Sequence, residues 1–365
     1  MNYSITIDAR MIRHTGIGTY TQNMISAIAG NYNLTLLGNY DTLTSFSWSN
    51  QVKIIPTTSS IYSLSEQTEL QKKIQFCDLF ISPHYNIPLQ KIKASKRVVV
   101  IHDVNHLTNI NKISLIKRLY AKYMINAAIK KSDKVITVSE FSRSEINKYT
   151  ISKKDIGIIY CGMDINEIRN KINNESLARI KLKYNLPGNY ILYVGNMKPH
   201  KNIDVVIKAM KFLSEFQDKK LVVVGAQLDE ILQKLKMLDI PGLEKNIYPI
   251  QYVGNEVLPL LYNNAECLIF PSLYEGFGIP PIEAMICGCP VLASNAASIP
   301  EVCGDAALFF NPNDANELAD KIMSVLKNKD LRSELLWKGD KNAQRFSIEN
   351  FREKLIYIIN ETITN

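Results

Sequence analysis

Short apolar runs, each a strand's length, recur along this chain, with helix-period segments between most of them. In the first half they fall at 4–8, 34–37, 52–55, 79–82, 98–101, 134–138 and 156–159, and helical spacing fills 19–29, 65–76, 114–131 and 140–148. Strands that alternate with helices make a parallel sheet covered on both faces, because parallel neighbours need a long crossover between them. The pattern lapses at 166–188, which is charged, Asn-rich and ends at Pro187-Gly188. It restarts with runs at 190–194, 221–224, 248–253, 267–270, 290–293 and 307–310, followed by helical patterns at 314–327, 330–343 and 348–363. Two such alternations predict an α/β chain of two doubly wound, Rossmann-like domains, 1–165 and 189–345, with 166–188 as helix and linker. A length of 365 residues, long for one core, agrees with that division.

In a doubly wound sheet, ligands lie outside the carboxyl ends of the strands, so the loops there are where chemistry is sought. After the run 267–270 comes Pro-Ser-Leu-Tyr-Glu-Gly-Phe-Gly-Ile-Pro-Pro-Ile-Glu-Ala-Met. Gly276 and Gly278 leave bare backbone in a tight loop. Pro280 and Pro281 suit a first helical turn, and the helix is expected over 282–287, stopping at Gly288. A strand, a glycine loop and a helix start together form an anion site, with unpaired N–H groups and a positive dipole end. Glu275 precedes the loop and Glu283 follows eight residues later, expected in the first helical turn. Structurally, Glu283 reads as a helix-terminus carboxylate and Glu275 as a solvated loop residue.

Three further loops carry polar groups. The run 190–194 leads into Gly195-Asn196-Met-Lys198-Pro-His200-Lys201-Asn-Ile. A cation at a helix start opposes the dipole unless an anion sits between them, so Lys201 reads as a phosphate ligand. Gly16-Ile-Gly18 is expected to precede a helix as a phosphate loop would; Thr21 stands where a dinucleotide fingerprint wants a third glycine, which argues against NAD. His102-Asp103 ends a strand and points at the carboxyl edge, with His106, Pro83-His84-Tyr85-Asn86 and Ser139-Glu140-Phe141-Ser142 as further candidates there. Asp-x-Asp occurs nowhere, so a metal-bridged diphosphate site has no support and no metal is expected. The six cysteines read as small core residues; Cys287-Gly-Cys289 lacks a second ligand pair at zinc spacing.

Tyr-Glu-Gly-Phe-Gly-Ile-Pro-Pro-Ile-Glu-Ala, with the following Gly-Cys-Pro-Val-Leu-Ala-Ser and Ile-Pro-Glu-Val, resembles the donor-sugar motif of the retaining family-four glycosyltransferases. The resemblance implies the GT-B fold, two Rossmann-like domains facing across a cleft, with 346–365 belonging to the N-terminal, acceptor-side domain. It implies that Glu283 holds the ribose hydroxyls, that Glu275, Gly276, Phe277 and Gly278 hold the sugar, and that Lys201 takes the diphosphate. His102 would contact the sugar, and the Gly16–Gly18 loop would close over sugar and phosphate. Asn196 stands where relatives often carry an Arg, a missing cation that His200 or Lys198 would replace. The implied reaction moves a hexose from a nucleoside-diphosphate sugar to an acceptor hydroxyl with retention, without cofactor. GDP-mannose is the favoured donor and a UDP-hexose the rival. The acceptor would be a saccharide, often lipid-linked, of O-antigen, capsule or exopolysaccharide synthesis. A sugar-nucleotide-binding protein without turnover, or a GT-B epimerase, is the alternative.

Charge adds one expectation. Residues 1–185 carry 25 basic and 13 acidic side chains, net +12, whereas 186–365 carry 18 and 22, net −4. The excess clusters at Lys91, Lys93, Lys96 and Arg97, and at Lys112, Lys117, Arg118, Lys122, Lys130, Lys131 and Lys134. A basic helix over 114–131 that also carries Leu115, Ile116, Leu119, Tyr120, Tyr123 and Met124 suggests docking on an anionic membrane. No nucleic-acid partner is expected. The start of the chain lacks a basic stretch followed by an apolar core, so a cytoplasmic, peripheral location on the inner face of the cytoplasmic membrane is expected.

Overall fold

The computed structural model describes residues 3–108, 114–151, 154–214 and 219–365. It comprises two units, Met1–Met163 with Phe346–Asn365, and Asp164–Arg345.

The first unit is built on seven parallel strands: β1 (Ser4–Asp8), β2 (Asn33–Gly38), β3 (Lys53–Pro56), β4 (Cys77–Ser82), β5 (Ala94–Val100), β6 (Lys134–Thr137) and β7 (Ile156–Ile158). Their order is β3-β2-β1-β4-β5-β6-β7, with Ile5 opposite Leu79 and Ile7 opposite Ile81 across the central pair. The second unit has six: β8 (Ile191–Val194), β9 (Leu221–Val224), β10 (Ile247–Ile250), β11 (Cys267–Phe270), β12 (Val291–Ser294) and β13 (Ala307–Phe310). Their order, β10-β9-β8-β11-β12-β13, is the same winding begun again. Runs such as Leu-Val-Val-Val in β9 and Cys-Leu-Ile-Phe in β11 are apolar throughout because helices cover both faces and every residue is buried. All six cysteines are buried and unbridged, as small core residues. In each sheet the winding reverses once, at β1/β4 and at β8/β11. There the loops leave in opposite directions and open a crevice at the strand ends.

The expected linker 166–188 is largely helical and belongs to the second unit. Helices Ile165–Asn170 and Asn174–Lys183 start at Asp164 and Asn173, whose side chains accept from Glu167 N and Ser176 N, each at 2.8 Å. Of the asparagines that made this stretch read as part linker, Asn173 is an N-cap and Asn170 and Asn174 lie within the helices. The final helix, Ile348–Thr364, packs in the first unit on helix Thr15–Ile28, with Phe351 edge-on to Tyr20 at 5.3 Å. Gly162 is required beneath it, since an added Cβ would lie 2.5 Å from the Phe351 Cβ.

Candidate active site

In the second unit the loops after the two switch-point strands are tied together. The loop after β8 ends in a 3-10 turn, Pro199–Lys201, followed by Asn202 in the left-handed region at φ 53°. Asparagine tolerates that conformation, and its Nδ2 donates to Pro271 O at 3.2 Å and Pro312 O at 2.8 Å. Leu273 N donates to His200 O at 2.7 Å, joining the loop after β11 to the first. Tyr193 Oη lies 3.2 Å from Asn196 O and 3.4 Å from Lys201 O and supports the turn from below. Gly225, at φ +101°, lets β9's loop pass: a Cβ there would lie 2.6 Å from Gly195 O.

This frame brings Lys201 and Glu275 into contact. Lys201 Nζ donates to Glu275 Oε1 at 2.6 Å, and the side chains are 20% and 14% exposed. The anion that the Lys201 position calls for is thus supplied by the second loop. An ammonium has three N–H donors, so the pairing with one carboxylate oxygen does not use them all. Ser298, fully buried, holds the loop of Glu275 from behind: its Oγ lies 3.0 Å from Glu275 O and 2.9 Å from Phe277 O. Ser294 Oγ donates to Ser272 O at 2.6 Å in the same way. Gly278 caps the next helix at φ 98°, with a Cβ position 3.3 Å from the Phe270 ring. Asn196 is exposed, and its Oδ1 accepts from Lys198 N at 3.2 Å, a local turn; Lys198 is exposed and His200 partly buried.

Two expectations about the next helix are corrected. It spans Ile279–Ile286 rather than 282–287, so Pro280 and Pro281 lie within its first turn and remove two N–H groups from the expected anion cradle. Glu283 falls in the second turn, beyond the reach of a helix-terminus role. Its partner is a tyrosine instead: Tyr262 Oη, on helix Leu258–Asn264, donates to Glu283 Oε2 at 3.0 Å. Burial pushes the Glu283 carboxyl up, and the Tyr262 hydroxyl and Lys171 pull it partly back.

The first unit's switch point is organised differently. Asp8, at the end of β1, is fully buried; it takes Arg10 Nε at 2.8 Å and Nη2 at 2.7 Å. Arg10 Nη1 reaches Glu66 Oε2 at 2.7 Å, and Glu66 Oε1 accepts from Asn86 Nδ2 at 2.6 Å. His84 Nδ1 accepts from Asn86 N at 3.2 Å, and its Nε2 is 3.2 Å from Asp8 Oδ2. Burial raises the Asp8 carboxyl, but Arg10 and His84 more than offset that and hold it well below the carboxylate range. The network fixes the loop after β4, and Pro83 O in that loop lies 2.9 Å from His102 Nε2. A carbonyl only accepts, so Nε2 carries the proton and Nδ1 is left as the acceptor. Burial pulls His102 down to about 4, and the ring is neutral at neutral pH. Gly16 and Gly18 do not precede the helix but lie in its first turn, Thr15–Ile28. Gly18 is needed for packing, since a Cβ would sit 2.5 Å from Ile12 O; Gly16 faces open space.

Tyr262, Ser298, Ser294 and Glu66 were not singled out by the sequence, whereas Asn86 was, as part of the stretch 83–86. Ser298 precedes Ile-Pro as a helix cap would, and that position was its one signal; its hydroxyl serves the neighbouring loop instead.

Two parallel sheets wound in one order, with polar loops at their switch points, are the pair of Rossmann-like units on which glycosyltransferases of the GT-B type are built. Residues 16–167 match the family model described as Glycosyltransferase Family 4, and 175–342 match that of Glycosyl transferases group 1. The chain is 31% identical over 280 residues to O-antigen chain mannosyltransferase B of Escherichia coli, covering 74% of this chain and 71% of that one. It is 28% identical over 276 residues to O-antigen chain mannosyltransferase RfbU of Salmonella typhimurium, covering 75% and 71%. The fold is similar to that of Anabaena HepE, solved with UDP and glucose, at a TM-score of 0.78 and 16% identity over 99% of this chain and all of that one. The chain belongs to the family-four glycosyltransferases and is a hexosyltransferase.

Proposed function

We propose that this enzyme transfers mannose from GDP-mannose to an acceptor hydroxyl in O-antigen-type polysaccharide synthesis, with retention. The sugar rests on the two mannosyltransferase relatives. The observation that carries the site is the Lys201–Glu275 contact, which sets a cation and a carboxylate side by side at the second unit's switch point. Lys201 takes the diphosphate with its remaining donors, and no divalent cation is needed. Glu275 and the backbone of Gly276, Phe277 and Gly278 hold the sugar, and Glu283 holds the ribose hydroxyls. Glu275 is tied to Lys201, so it serves as a hydrogen-bond partner rather than a nucleophile. In the transfer the C1–O bond to phosphate breaks, and the acceptor oxygen bonds to C1 on the same face. The acceptor's proton passes to the departing phosphate oxygen, so no carboxylate pair of the glycosidase kind is required. His102 accepts a sugar hydroxyl through Nδ1.

The acceptor is proposed to be lipid-linked and met at an anionic membrane. Helix Leu115–Lys131 exposes Leu115 at 69%, Ile116 at 80%, Leu119 at 58% and Tyr123 at 61%, with exposed Lys117 and Lys122 among them. Only its later apolar positions, such as Met124, Ile125 and Ile129, are buried. An apolar patch interleaved with lysines is what an anionic bilayer surface takes. Arg118 is engaged with Leu107 O at 2.8 Å, and Lys134 with Glu361 at 3.4 Å. Lys112 lies outside the described residues. No helix among the described residues is long and apolar enough to cross a membrane.

The test is transfer from GDP-mannose and from UDP-hexoses to lipid-linked acceptors, with and without chelator, followed by NMR of the product's anomeric proton. A retained product formed from GDP-mannose in EDTA is expected. Turnover of UDP-hexoses alone, activity restored only by Mg²⁺, or nucleotide binding without turnover would each overturn its part of the reading.

A further inference from the structure

Tyr262 is fully buried, yet its hydroxyl is not spent on the core. It donates to one oxygen of Glu283 at 3.0 Å, from a helix that precedes β11, whereas Glu283 follows that strand. Strand and glycine loop separate the two residues in sequence, and the fold returns one to the other. Glu283 as a residue is partly exposed, and one oxygen of its carboxylate accepts the tyrosine's hydrogen. A carboxylate has about four lone-pair sites, enough to serve a fixed internal donor and an incoming pair of hydroxyls together.

We propose that Tyr262 is a positioning residue for the nucleotide: its hydroxyl pins one oxygen of Glu283, so that the other meets the ribose diol in a fixed orientation. The proposal rests on the assignment of Glu283 to the ribose. A glutamate without this anchor has three free side-chain torsions and must be ordered by the ligand, at a cost in affinity. The hydroxyl also favours the charged form of a carboxyl that burial disfavours, which keeps it an acceptor. Lys171 acts in the same sense although its ammonium is paired with Glu167 at 2.6 Å, and Arg169, the other cation of that helical segment, is paired with Asp340. The Cys287 thiol faces the same carboxylate and is itself raised, by burial first and then by Glu283's charge, so it stays neutral and supplies no competing anion.

The experiment is calorimetric titration of GDP and UDP into the whole protein as wild type, Tyr262→Phe, Glu283→Gln and the double variant, across pH 5–8. Tyr262→Phe keeps the ring and removes one charge-assisted bond, so roughly tenfold weaker binding is expected. The loss should vanish in the Glu283→Gln background, and the acid limb of the affinity profile should move to higher pH. With donor and acceptor present, KM for the donor should rise while kcat changes less. Wild-type affinity in Tyr262→Phe, or an equal loss in both backgrounds, would overturn the positioning role while leaving the donor site intact. Wild-type binding by Glu283→Gln overturns the ribose assignment and the positioning role together. Should Tyr262→Phe fail to fold, Glu283→Asp replaces it, because it keeps the charge but draws it away from the hydroxyl; unweakened binding there overturns the proposal.

Discussion

The two switch points share a strand order and differ in what their charges do. In the first unit, Asp8 and Glu66 both hold Arg10, with Asn86 and His84 closing the set, and every one of these side chains is buried, Arg10's to 4% exposure. In the second, Lys201 and Glu275 hold each other at the edge of solvent, and the partly exposed Glu283 accepts from Tyr262. One crevice therefore uses its ionic groups to fix a loop; the other keeps them where a ligand can reach. Winding order locates polar loops but does not decide whether they become scaffold or site. Burial and spare hydrogen-bonding capacity decide that.

The contrast breaks most severely at Arg10. Arg10→Ala leaves two buried carboxylates without their cation, and a loss of about 3–5 kcal/mol of stability is expected. Denaturant unfolding that matches wild type would show the network to be dispensable.

Lys201→Ala is the counterpart, expected to act on turnover instead. A fall in kcat/KM worth about 2–4 kcal/mol, with a melting temperature within a few degrees of wild type, fits a ligand-facing charge. Unchanged transfer would place the diphosphate elsewhere.

His102 sharpens the comparison through pH. Its folded value of about 4 lies below the ordinary 6.5, so the unfolded chain binds the extra proton in that window. The stability this neutral ring contributes is whole above about pH 6.5 and is lost as pH falls towards 4. The loss should be at most about 3 kcal/mol, and His102→Gln should flatten the slope of unfolding free energy between those limits. An identical slope in that variant would assign the acid sensitivity to other groups.

The smallest effect concerns the exposed helix. Changing Lys117 and Lys122 to Gln should weaken binding to anionic vesicles by about 1 kcal/mol per residue, seen as reduced sedimentation, and have no effect with neutral ones. Equal sedimentation before and after, or with both lipids, would leave this face to solvent and a soluble acceptor.

The strands were legible because each is an apolar run between breakers, and a strand buried on both faces needs nothing subtler. Lys201 and Glu275 were legible singly, from a cation beside a helix start and a carboxylate beside a glycine loop. Their contact was not, since it depends on how two distant loops are tied by Asn202 and Leu273. The turn occupied by Glu283 was misplaced because two prolines admit a helix start either before or after them. Gly16 and Gly18 looked like a loop because glycine rarely opens a helix; the close approach of Ile12 is invisible in one dimension. Tyr262 sits in an apolar helical pattern and reads as core, which its ring is; only its hydroxyl carries the further role.

The pairing of Met163 with residues 346–348 has a consequence for how the protein is made. Met163 N donates to Phe346 O at 2.7 Å and Ile348 N to Met163 O at 2.9 Å, so the chain leaves and re-enters the first unit at one point. During synthesis the whole of Asp164–Arg345 must leave the ribosome before the helix that covers Tyr20 and Gly162 exists. The second unit has all its strands by then and is free to fold first. The unit begun first is completed last, and until Phe351 arrives its Thr15–Ile28 helix keeps an uncovered apolar side that a chaperone can hold.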